Sequence, residues 1–186
     1  MRTPKYYLVL DLEATCDAEQ RLPRSETEII EIGAVLCEGE TLRPEAEFQT
    51  FVRPIRHPRL TPFCTELTTI RQADVDRAPP FPQAIERLRR FLEGRDFLFC
   101  SWGDYDRNQF RRDADRHKVK LPLGRDHWNL KEAFREAAGD MRKLGNGQAL
   151  ERVGLPVEGT VHRGIDDARN IAKLLPYCLG RLPIPR

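Results

Sequence analysis

Two carboxylates, Asp11 and Glu13, interrupt the apolar run Leu8-Val9-Leu10-Asp11-Leu12-Glu13-Ala14-Thr15. Side chains on a strand alternate between its faces, so both acids point the same way, with Val9 behind them and Leu8, Leu10 and Leu12 facing a core. Adjacent acids at the end of a buried strand repel each other and are costly to desolvate. A divalent cation removes both penalties, so this strand is read as a metal-holding one. The bland alternative is a solvated strand end with two ordinary acids.

Two further segments carry compatible chemistry. Phe97-Leu98-Phe99-Cys100-Ser101-Trp102-Gly103-Asp104-Tyr105-Asp106 is an apolar strand, a glycine turn and two acids at the start of a helix. Ligands in α/β sheets bind at such strand ends. Asp104 reads as a helix N-cap and Asp106 as a functional acid, although an acid in a first helical turn also serves the helix dipole. In His162-Arg163-Gly164-Ile165-Asp166-Asp167-Ala168-Arg169-Asn170, a histidine precedes a helix between Gly159 and Gly164. An imidazole can take a proton from water near neutral pH. Asp166 and Asp167 compete for a ligand role there.

The elements that must position these groups follow from pattern. Strands are expected over Tyr6–Leu12, Glu28–Leu36 (antiparallel to the first), Ala46–Val52, Asp96–Ser101 and Arg125–Asn129, with a loop from Cys16 to Thr27. Pro54, Pro58 and Pro62 break regular structure after the third strand. Thr61-Pro62 suits an N-cap and first helical position, and Thr69-Ile70-Arg71-Gln72 a capping box. Phe81, Ala84, Ile85, Leu88 and Leu92 recur at helical spacing, closed by Gly94. Helices follow over Tyr105 to about Lys118, up to Ala138 and over Gly147–Val153. A closing helix carries Ile165, Ala168, Ala172 and Leu175 on one face. Early strands, then strands alternating with helices, give an α/β domain with a mixed central sheet.

Composition sets the outer bounds. A chain of 186 residues, 40% hydrophobic and 32% charged, is read as one domain with a sizeable core. Apolar runs fall far short of a membrane span, and Met1-Arg2-Thr3-Pro4-Lys5 leads into a strand with no signal-peptide pattern. Five scattered cysteines with no Cys-x-x-Cys pair point to reduced thiols and a cytoplasmic setting. Net charge is +2, so any nucleic-acid affinity must be local.

The order Asp-x-Glu, aromatic-Asp, His-x4-Asp resembles the DEDDh 3′–5′ exonucleases, which have an RNase H-like fold. Asp11-Leu12-Glu13-Ala14-Thr15-Cys16, Glu28-Ile29-Ile30-Glu31-Ile32-Gly33, Phe51-Val52-Arg53-Pro54, Phe63-Cys64-Thr65-Glu66-Leu67-Thr68 and His162 through Ala172 resemble the histone-mRNA 3′-end exoribonuclease subfamily. These segments span nearly the whole chain. The resemblance implies an RNase H-like mixed β-sheet flanked by α-helices. It selects Asp106 over Asp104, and Asp167 with His162 over Asp166. It further implies metal ligands Asp11, Glu13, Asp106 and Asp167, with His162 as general base. Two Mg²⁺ ions about 4 Å apart, replaceable by Mn²⁺, would activate water and stabilise the leaving oxygen. Glu13 and Asp167 would hold the ion carrying the attacking water, Asp11 would bridge, and Asp106 would serve the second ion.

Substrate handling is less marked. Trp102 and Tyr105 could stack on a terminal base. The resemblance places Ala14 and Thr15 near the terminal sugar, with Phe63 and Cys64 lining the same pocket. Arg107, Arg111, Arg112, Arg116, Lys118 and Lys120 could track phosphates, or form an ordinary charged helix face. Arg87, Arg89 and Arg90 are open to the same two readings. The expected activity is removal of nucleoside 5′-monophosphates from the 3′ end of RNA, single-stranded or with short overhangs. No accessory nucleic-acid-binding domain precedes the nuclease segment, as it does in some family members, so stem-loop specificity is not expected. A proofreading-type DNA exonuclease and a non-catalytic nucleic-acid-binding module are the alternatives.

Overall fold

Strand β1 (Tyr6–Ala14) is the middle of five. The computed structural model describes residues 4–19 and 21–185; Met1–Thr3, Gln20 and Arg186 lie outside them. β1 runs two residues further than its hydrophobic pattern suggested, because it stays paired with β2 (Ile29–Glu38) as far as Ala14. Asp11 and Glu13 are therefore strand residues held from one side by the ladder. β2 pairs antiparallel with β1 and with β3 (Pro44–Phe51).

The chain then crosses over through α1 (Pro62–Thr68), α2 (Gln72–Asp76) and α3 (Phe81–Leu92) to β4 (Phe97–Ser101), which lies parallel to β1 on its other side. Helix α4 (Tyr105–His117) leads to β5 (His127–Asn129), parallel to β4, and the sheet order is β3-β2-β1-β4-β5. Helices α5 (Leu130–Ala138), α6 (Asn146–Arg152), α7 (Gly164–Ala172) and α8 (Leu175–Cys178) complete the chain. This is the mixed, helix-flanked sheet of the RNase H-like class.

Strand alternation divides the interior in two. Leu8, Leu10 and Leu12 enter the core shared with Phe81, Ile85, Leu88 and Phe110 of α3 and α4. Tyr7 and Val9 enter the other, with Leu130, Phe134, Leu150, Ala168 and Ile171 of α5, α6 and α7. Asp11 and Glu13 continue the Val9 face, and so open toward α7.

Three local expectations change. The Thr69–Gln72 capping box does not form. Thr69 has φ +60 and ends α1, while Arg71 N–H donates to Asp74 Oδ2 at 3.0 Å to start α2. Gln72 instead accepts from Leu60 N–H at 2.8 Å and donates to the Pro58 carbonyl at 2.8 Å. The closing helix divides after Ala172, because Pro176 has no N–H to continue the ladder, yet Ala168, Ala172 and Leu175 share one core as expected. Asp104 sits at the N-cap of α4 without capping it; its carboxylate takes Arg107 at 2.9 Å and Asn129 at 3.1 Å.

The loop over 16–27 is tied to α4 and α1 by polar contacts. Arg116 donates to the carbonyls of Ser25 (2.8 Å) and Thr27 (3.1 Å) and pairs with buried Asp113. Thr61 Oγ1 donates to the Cys16 carbonyl at 2.7 Å and accepts Cys64 N–H, so its predicted cap is present. Among the described residues, all five cysteines are free, and no helix is long and apolar enough to cross a membrane.

Candidate active site

The site exists because β1 outruns β4. Their parallel pairing ends at Val9 opposite Cys100, which leaves the later N–H groups of β1 open on that edge. The chain turns at Gly103 (φ +114) into α4, and Asp106 in its first turn accepts Leu12 N–H at 3.1 Å. That contact distinguishes the two acids of this segment. Asp106 is buried against β1, whereas Asp104 faces outward.

The other side is built by α7. Gly33 and Gly164 meet backbone to backbone, and a Cβ on Gly33 would lie 2.1 Å from the Gly164 carbonyl carbon. Gly33 is the ladder partner of Asp11, so the first turn of α7 rests directly over Asp11. Asp167 is thereby carried into the site. Asp166 turns away, accepting Thr160 N–H at 2.9 Å and pairing with Arg169 at 2.9 Å. His162 has φ +61; this left-handed turn lets its N–H donate to Asp167 Oδ2 at 2.9 Å while its ring stays exposed. Asn146 Nδ2 donates to Asp167 Oδ1 at 3.0 Å.

Asp11, Glu13, Asp106, His162 and Asp167 thus line one cleft of about 370 Å³, together with Ala14, Cys16, Leu67, Trp102, Tyr105, Asn146 and Val161. Glu13, His162 and Asp167 each offer a ligand atom within 4.8 Å of the others. A larger depression of about 560 Å³ lies beside Arg89, Arg95 and Pro122, away from these groups.

Electrostatics show the cost of gathering these acids. Burial, then the charges of Asp106, Glu13 and Asp167, push the Asp11 carboxyl far above the usual carboxylate range. Burial, then Asp167, raises Glu13 from 4.5 to about 8. Burial raises Asp106 from 3.8 to about 7 against the opposing hydrogen bond from Leu12 N–H. Burial also raises Asp167, opposed by Asn146. Four mutually repelling carboxylates with an imidazole beside them are a hard-oxygen donor set suited to divalent cations.

The substrate-side residues divide. Ala14, Trp102 and Tyr105 line the cleft, with Tyr105 43% exposed. Trp102 is anchored by its Nε1–H to the Leu144 carbonyl at 3.0 Å and packs on Phe134. The structure does not bring Thr15 or Phe63 into the cleft. Thr15 is buried at the mouth of the first loop, where its Oγ1 accepts Glu28 N–H at 3.0 Å. Phe63 sits on the outer part of α1, and Leu67, one turn later, reaches the cleft instead. Cys64 is buried beneath, 3.8 Å from the Ala14 carbonyl.

Sequence reasoning missed Asn146, Val161, Leu67 and the neighbouring Glu31. Glu31 had a readable signal, being an acid inside the apolar run Ile29-Ile30-Glu31-Ile32 of a strand. Asn146, between Gly145 and Gly147 at the start of α6, had none.

A sheet of this order, with acids gathered where its central strand outruns a neighbour, is the setting of a candidate metal-binding site. Residues 8–175 match the RNase_T exonuclease family, and the chain belongs to it. It is 38% identical over 185 residues to ERI1 exoribonuclease 3 of Mus musculus, covering 91% of this chain and 52% of that protein. It is 34% identical over 195 residues to the 3′-5′ exonuclease Snipper of Drosophila melanogaster, covering 94% and 69%. The chain therefore spans about half the length of the mouse relative. The nuclease domain of 3′hExo, a DEDDh family member solved bound to rAMP, superposes with a TM-score of 0.88 at 27% identity, covering 98% of this chain and 97% of that one.

Proposed function

We propose that the protein is a divalent-metal-dependent 3′–5′ exoribonuclease that releases nucleoside 5′-monophosphates from single-stranded RNA ends or short 3′ overhangs. One observation carries this reading. Acids from three distant segments, Asp11 and Glu13, Asp106, and Asp167, converge with His162 on one cleft. The resemblance of the non-catalytic segments to exoribonucleases favours RNA over DNA.

The donor set fits Mg²⁺, with Mn²⁺ able to substitute. Glu13 and Asp167 would hold one ion, Asp106 a second, and Asp11 would be shared. Bound ions would activate water and stabilise charge on the leaving oxygen. The chain's own groups do the rest. The exposed His162 ring takes the proton from the attacking water and passes it to solvent. Asn146 and the His162 N–H fix Asp167, and Leu12 N–H fixes Asp106, so the acids keep their places while charge builds. Tyr105 and the anchored Trp102 ring offer apolar surface to a terminal base. The free thiols support a cytoplasmic setting.

The test is a time course on matched labelled RNA and DNA strands with Mg²⁺, Mn²⁺ or chelator. Stepwise shortening of RNA from the 3′ end, with 5′-monophosphate products lost in Asp11→Asn, is expected. Preferential DNA degradation would move the protein to the proofreading type. RNA binding without any mononucleotide release would make it a binding module.

A further inference from the structure

We propose that buried Glu31 and half-buried Arg163 form a clamp that positions His162 and Asp167 for hydrolysis, and that Arg163 offsets a fifth carboxylate at the metal site. The proposal rests on the exonuclease reading above and names two residues that act through others.

Glu31 stands directly opposite Glu13 in the β1–β2 ladder, on the same face, and is fully buried. A carboxylate there needs partners, and it has four contacts. Arg163 donates through Nε to Oε2 at 3.0 Å and through Nη2 to Oε1 at 3.2 Å. Gly164 N–H donates to Oε2 at 3.0 Å, and Gln49 Nε2 to Oε1 at 2.9 Å. The Arg163 guanidinium also lies over the Phe51 ring, 5.3 Å from its centroid.

The clamp therefore grips both the residue after His162 and the first N–H of α7. Its contacts fix the segment in which His162 takes its left-handed turn and in which Asp167 N–H bonds to the Arg163 carbonyl at 2.8 Å. It also sets the charge of the site. Glu31 would add a fifth negative group beside Asp11 and Glu13, and Arg163 balances it, leaving four carboxylates for cations. A purely structural ion pair would not make metal affinity depend on which partner is removed.

Glu31→Gln, Arg163→Gln and the double variant test this. The clamp predicts that kcat falls on the order of 10-fold to 100-fold in each single variant, the usual range for groups that orient metal ligands. KM for a short RNA would stay within about threefold of wild type, as expected when a residue acts on chemistry and not on substrate binding. Mn²⁺ titration of the purified protein should show weaker binding in Glu31→Gln, where an unbalanced cation remains. Binding should fall less in Arg163→Gln, where the uncovered Glu31 charge opposes the loss of Asp167 alignment, and the double variant should lie between the two single variants with kcat still low. Amide exchange at His162 and Gly164 should quicken in Glu31→Gln. Wild-type kcat with unchanged exchange would overturn the clamp, as would equal Mn²⁺ affinity in the two single variants. If the wild-type protein hydrolyses neither RNA nor DNA, the exonuclease reading fails, and Mn²⁺ affinity and amide exchange still decide the clamp. The double variant carries no buried charge at this pair, so it keeps the test available if a single variant does not fold.

Discussion

Gly33 and Gly164 touch through their backbones, with no room for a side chain on Gly33. The contact joins β2 to the first turn of α7 and sets how closely Asp167 approaches Asp11. Gly33→Ala would place a methyl carbon inside the opposite peptide, so α7 must move. We expect a loss of about 1–3 kcal/mol in stability, typical of overpacking, and a large loss of hydrolysis. Urea unfolding and an RNA time course on the same preparation check both.

Stability in the absence of metal should fall as pH rises. Glu13 is raised from 4.5 to about 8 in the folded state. Between those values the native protein binds more protons than the unfolded chain, so the slope of stability with pH is negative. The raised carboxyls of Asp11 and Asp106 act in the same direction. Thermal melts with chelator from pH 5 to pH 8, a span chosen to cover most of that interval, should show a declining Tm. Added Mg²⁺ should recover most of the loss at the alkaline end, since ligands stabilise the state that binds them.

Removing one of the repelling acids follows the same logic. Asp11→Asn should abolish hydrolysis and yet raise the metal-free Tm at pH 8, because it removes a carboxyl that ionises freely in the unfolded chain and is resisted by burial and its neighbours in the fold. A lowered Tm in chelator would contradict the electrostatic account of the cleft.

Asn146 lines the cleft and holds Asp167 through its Nδ2. Asn146→Ala should therefore weaken metal affinity and turnover roughly 10-fold to 100-fold while the fold persists. Comparing Mn²⁺ affinity with circular dichroism separates the two effects.

Helix α4 gives a test of its own charge pattern. Arg116 holds the loop at Ser25 and Thr27 and neutralises buried Asp113, so it has little left for phosphate. Arg116→Ala should cost about 3 kcal/mol, as breaking a buried pair does, and speed proteolysis of the 16–27 loop. RNA affinity measured at constant salt should change little. Arg111, Lys118 and Lys120 are exposed and are where a phosphate-tracking face would show its effect.

The acids of β1 were legible because strand period alone puts Asp11 and Glu13 on one face. The mixed sheet was legible in the early strands followed by strand–helix alternation, but its order β3-β2-β1-β4-β5 was not, because it depends on where the crossovers return. Physics of the sequence separated Asp106 from Asp104 only narrowly and left Asp167 and Asp166 competing. Each pair lies within the start of one helix, and the choice depends on partners far along the chain, Leu12 N–H for Asp106 and Asn146 for Asp167. Thr69 misled because threonine is a common N-cap and a rare left-handed residue, yet here its φ of +60 ends α1. Thr15 and Phe63 followed the motif's neighbourhood in sequence, while the cleft is formed by what folds back onto it, Leu67, Asn146 and Val161.

The early parting of β4 from β1 makes catalysis hostage to an unfinished hem. Were the two strands sewn together through Leu12, its amide would be claimed by a neighbouring carbonyl and Asp106 would lose its seat. Nature's ordinary remedy for a loose sheet margin, one more stitch of pairing, would here take away the amide that seats Asp106.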